Sequence, residues 1–187
     1  MALHTNANAA DEEQYTQRTA FPTGGVWRLP LSGRGFSGRA AWAVPPDGLL
    51  CRPSAIAFSR CGTLAYVATF LTPDAGCAPP AGGEAGCDPR GVVAFHVSSP
   101  APHSGVGTVA TPHAWVRHAT WDAAACARAG LHPWALAVDG GSGALLATAH
   151  GGGGGHVIAQ LCPHTGAVRA TWRHAALAGA PNALALL

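Results

Sequence analysis

Ten histidines in a chain of 187 residues are the first side chains to weigh, because imidazole is the commonest metal ligand and an acid–base group active near neutral pH. The pair that most invites a metal is His150-Gly-Gly-Gly-Gly-Gly-His156. Five glycines let two imidazoles converge, but fixing so flexible a link costs backbone entropy, and no third or fourth ligand is adjacent in the sequence. A solvent loop between two strands is therefore expected there. His132 stands two residues before Trp134 at the head of an apolar run, from which it can reach the mouth of a channel.

The cysteines and glycines offer less. Cys77 and Cys87 bracket a Gly/Pro-rich stretch and would close it as a disulfide in an oxidising compartment, whereas free thiols are expected in a reducing one. Cys51 and Cys61 flank a single predicted strand, whose extended length exceeds disulfide reach. Gly33-Arg-Gly35-Phe-Ser-Gly38 has the spacing of a dinucleotide-binding turn. That turn must open a helix, which Pro45-Pro46 forbids, so a strand-connecting loop is expected instead.

The elements that must position these residues follow from composition. Only 11% of residues are charged and the formal net charge is +2, which gives no electrostatic footprint for nucleic acid. No purely apolar window of 18 residues is present, so no membrane partner is expected. The first twenty residues lack a basic segment followed by an apolar one, which leaves a soluble, cytoplasmic protein as the default. Twenty-five glycines and fifteen prolines favour many short strands broken by turns, and thus an all-β fold.

An internal repeat organises those strands. Pro53-Ser-Ala-Ile-Ala-Phe, Pro133-Trp-Ala-Leu-Ala-Val and Pro181-Asn-Ala-Leu-Ala-Leu share one pattern, and recurrence at this scale marks propellers and arrays. Each of the first two runs leads through a turn, at Arg60-Cys-Gly62 and Gly140-Gly-Ser-Gly143, into a second apolar run. Third strands begin at Gly91 and Gly155, and a fourth follows Pro163-His-Thr-Gly166. Four antiparallel strands per unit is the propeller blade. The predicted layout is a flexible N-terminal segment over 1–23 and a partial β-propeller over 24–187. Within it, 24–52 is the end of a blade and 53–122 a blade with a long loop at 71–90. Residues 123–180 form a further blade, with a helical turn or two within 123–132, and 181–187 the first strand of another. Two and a half to three blades make an open arc rather than a closed ring, whose edges invite self-association or mark a piece of something larger.

Several motifs, in order, resemble those of the gluconolactonase, senescence-marker-protein and fungal lactonohydrolase family. They are Gly24-Gly-Val-Trp-Arg, Arg52-Pro-Ser-Ala-Ile-Ala-Phe-Ser, Gly62-Thr-Leu-Ala-Tyr-Val-Ala, Val93-Ala-Phe-His-Val, Pro133-Trp-Ala-Leu-Ala-Val-Asp and Cys162-Pro-His-Thr-Gly166. The resemblance implies a six-bladed propeller with a calcium-like divalent cation on its axis, a lactone or sugar-acid ligand, and lactone hydrolysis. There the metal polarises the carbonyl and a carboxylate moves the proton. The family's ligand Asn falls on Ser54, and its ligand and base Asp on Trp134. Serine is a weak neutral ligand, and tryptophan can neither bind a hard cation nor accept a proton. Ser54, His132, Trp134 and Asn182 are the channel-facing candidates, and no metal or catalytic residue is assigned among them. Two functions follow: a divergent lactonohydrolase, or a non-catalytic propeller segment that binds or assembles.

Overall fold

Runs of small and β-branched residues separated by Gly-containing turns make short antiparallel strands, and the structure, a computed structural model, is built from them. It describes residues 2–5, 23–28, 31–32, 35–36, 41–45, 50–51, 53–69, 91–97, 115–151, 155–173 and 184. Sheet 1 holds β1 (Ala2–Thr5), β2 (Thr23–Arg28), β5 (Ala41–Val44) and β6 (Leu50–Cys51), with β2 paired to all three others. Sheet 2 is the meander β7 (Pro53–Phe58), β8 (Leu64–Thr69), β9 (Gly91–His96) and β10 (Val116–Arg117). Sheet 3 is the meander β11 (Leu131–Val138), β12 (Leu145–Gly151), β13 (Gly155–Leu161) and β14 (Val168–Trp172).

The remaining elements, and the placing of β1, correct or complete the sequence reading. β1 lies inside the stretch expected to be a flexible lead. Gly35–Phe36 is a two-residue strand, β4, paired with β3 (Leu31–Ser32), so part of the dinucleotide-like spacing expected to be a strand-connecting loop is itself a strand. The helical turn expected before His132 is α1 (Ala125–Arg128), a single four-residue helix. Asn182, Cys77, Cys87 and the 71–90 loop lie outside the described residues.

Burial shows how the sheets are layered. All six residues of β8 and the first five of β9 are buried, so both faces of sheet 2 are covered. In β13, Val157, Ala159 and Leu161 are buried while His156, Ile158 and Gln160 are only partly so. Sheet 3 therefore packs one face into the core and shows the other partly to solvent. The first strands meet at the centre, with β7 lying against both β1 and β11.

Polar ties fix the layers. The buried Tyr66 donates its hydroxyl proton to the Pro163 carbonyl at 2.9 Å, joining sheet 2 to sheet 3. The Trp121 indole donates to the Val92 carbonyl, its ring stands 5.3 Å from Tyr66, and the neighbouring Asp122 amide donates to the Thr165 carbonyl. Gly166 completes this joint. Its φ is +77°, and a Cβ there would lie 2.8 Å from the Trp121 ring, so only glycine fits.

Candidate functional site

The turns of the β7–β8, β11–β12 and β13–β14 hairpins come together at one end of the molecule. Arg60 in the first turn donates to the Gly141 carbonyl in the second at 3.3 Å. Between them lies a cleft of about 680 Å³, lined by Arg60, Cys61, Tyr66, His96, His118 and His164 together with the hydroxyls of Ser59, Thr63 and Ser142. Among the described residues no carboxylate lines it. The nearby Asp139 carboxylate accepts from the Gly141 and Ser142 amides and the Ser142 hydroxyl, which hold it below the usual carboxylate range.

Cys61 is the reactive group of this cleft. Its sulfur shares hydrogen bonds with Ser59 Oγ at 3.5 Å and Thr63 Oγ1 at 2.9 Å. These hydroxyls favour the thiolate and lower the thiol to about 7. Burial, and the negative charge of thiolates at Cys61 and Cys162, push Tyr66 up to about 12, so it stays a protonated donor. Cys162 is lowered to about 7 by the Thr165 hydroxyl foremost, with help from Arg169 at 3.3 Å, against the opposing effect of burial. The His96 and His118 rings stack at 4.6 Å, and His118 Nδ1 shares a proton with Thr120 Oγ1 at 3.3 Å. Donors dominate the lining, which suits a small polar ligand rich in acceptor oxygens.

Ser54, His132 and Trp134, singled out from sequence, lie at the opposite end, where the first strands begin. The register of β7 against β8 breaks between Pro53 and Ala55, and that of β11 against β12 between Pro133 and Ala135. Ser54 and Trp134 are thus the extra residues of two equivalent β-bulges, a device that re-aims a side chain at the rim of a sheet. The β11 bulge takes the Ala135 amide out of the ladder, and the buried Thr148 hydroxyl accepts it at 3.2 Å. Ser54 is exposed and donates weakly to the Ala68 carbonyl at 3.5 Å. Trp134 is half-buried.

These positions do not fit the hard cation that the family resemblance implies. One exposed hydroxyl and one indole provide neither the carboxylate nor the cluster of oxygens such an ion needs. His132, the second residue of β11, lies directly opposite His150, and His150 is directly opposite His156. The last two are strand residues rather than members of a solvent loop, because the ladder between β12 and β13 runs through Gly151 and Gly155. The third histidine missing from the local sequence is supplied by the neighbouring strand.

The cleft could not be read from the sequence, since its histidines and thiol come from turns and strand ends about a hundred residues apart at the extreme. Its one local signal is the Ser59-Arg-Cys-Gly-Thr63 turn, whose hydroxyls flank the thiol. The chain is thus an all-β protein of antiparallel four-stranded sheets with a polar cleft at one end and paired bulges at the other. No family model, curated protein or solved structure matches it.

Proposed function

We propose that this chain is a propeller-type arc of the gluconolactonase and lactonohydrolase kind that acts as a binding and assembly module without lactone hydrolysis. The observation that carries the reading is the pair of bulges at Ser54 and Trp134. They occupy equivalent places at the heads of β7 and β11, where the resemblance puts the metal ligand and the base, and neither side chain has that chemistry. What remains is a scaffold with a cleft of about 680 Å³ and a partly exposed face on sheet 3.

That face suits another sheet of the same kind from a second copy of the chain. It carries Leu146, Ile158 and Trp172, the last 49% exposed, and sheet 2 illustrates how a like sheet covers such a face. The small-molecule side of the function belongs to the cleft, whose donors suit a sugar acid or lactone. The test is a sugar-lactone hydrolysis assay with added calcium and with chelator. Turnover no faster than buffer in both is expected. Chelator-sensitive turnover that falls on Ser54→Ala would overturn the reading.

A further inference from the structure

We propose that His132, His150 and His156 bind a borderline divalent transition-metal ion of the zinc class, held across three neighbouring strands of sheet 3. The register places His132 opposite His150 and His150 opposite His156, and opposed residues of an antiparallel pair share a face with Cβ atoms roughly 4.5–5.5 Å apart. All three are partly buried. The His150 and His156 rings stand 5.1 Å apart at 66°. Two nitrogens on a tetrahedral zinc at about 2.0–2.1 Å lie about 3.4 Å from each other, a gap that two such rings span by leaning together.

Two polar details point to an ion at this place. His150 Nδ1 lies 3.2 Å from the Gly151 carbonyl, the outer-shell bond that typically orients a metal-binding imidazole and leaves Nε2 for the metal. His156 Nδ1 is buried and has no hydrogen-bond partner among the described residues, and a buried polar atom of that kind calls for a partner, which a water or an ion can supply. The donor set is all nitrogen, which selects the zinc, nickel and copper class over calcium or magnesium. As they stand, no three His, Cys, Asp or Glu side chains among the described residues are grouped so as to hold a metal ion, so binding requires the three imidazoles to rotate toward one another. Arg173 approaches Gly151 from the opposite face of the strand, its Nη2 being 3.5 Å from where a Gly151 Cβ would point.

Zinc chloride titrated calorimetrically into the 187-residue chain tests the site, with folding of each variant checked by circular dichroism. One ion per chain is expected. Each of His132→Ala, His150→Ala and His156→Ala should weaken it about tenfold or more, which is about 1.4 kcal/mol. His103→Ala should leave it unchanged, and calcium chloride should give no binding. Cobalt(II) in place of zinc should show a visible absorption band that His150→Gln or His156→Gln removes while the chain stays folded. No zinc binding by the native chain, or equal weakening by His103→Ala, would overturn the proposal.

Discussion

At the scale of single residues, the chemistry of this chain is decided by the neighbours each side chain meets. Cys61 is the clearest case, since its reactivity rests on the hydroxyls two residues to either side. With the thiol lowered to about 7, roughly half is thiolate at pH 7. Iodoacetamide at pH 7 is therefore expected to alkylate Cys61 much faster than the buried Cys126. Thr63→Val should raise the thiol and slow the labelling several-fold, which peptide mapping by mass spectrometry would measure. Labelling of Cys61 that is unchanged by the substitution would contradict this account. The histidines teach the same lesson. The five-glycine link suggested freedom and therefore a loop, yet backbone pairing between Gly151 and Gly155 fixes His150 and His156 in a ladder. Whether glycine is a hinge or a strand residue depends on a partner strand, and local sequence does not contain that partner.

At the scale of elements, much of the organisation was legible because it is written in local signals. The Pro-x-Ala repeat marks the first strands, and its middle residue proves to be a bulge in both β7 and β11. Glycines at 91 and 155 mark the third strands. Gly91 also has a packing reason: a Cβ there would lie 2.2 Å from the Ala123 carbonyl oxygen. β1 was not legible, because Ala2–Thr5 is too short to show a period of two, and its pairing with Gly24–Trp27 is long-range. The joint between sheets 2 and 3 is similarly non-local, and it carries two stability predictions. Trp121→Ala, which removes a buried ring and its bond to Val92, is expected to cost about 3–5 kcal/mol. Tyr66→Phe, which strands only the Pro163 carbonyl, should cost about 1 kcal/mol. Urea denaturation of both variants checks the order, and a Tyr66→Phe loss equal to that of Trp121→Ala would contradict the proposed joint. Gly166→Ala should also destabilise, by about 1–2 kcal/mol for the left-handed backbone and more for the clash with Trp121.

At the scale of the whole molecule, the layered sheets explain why the chain should seek a partner. Sheet 2 is covered on both faces and sheet 3 on one, and a repeat array gains most of its stability from such interfaces between neighbours. Among the described residues no helix is long and apolar enough to cross a membrane. The partner proposed for the partly exposed face of sheet 3 is another sheet. Trp172 at 49% exposure lies at the edge of that face, opposite Ile158. The most direct test is size-exclusion chromatography with light scattering on the native chain beside Trp172→Glu. The account predicts a dimer or larger assembly for the native chain and a shift toward monomer for the variant. A native chain that elutes as a monomer and melts sharply would contradict it.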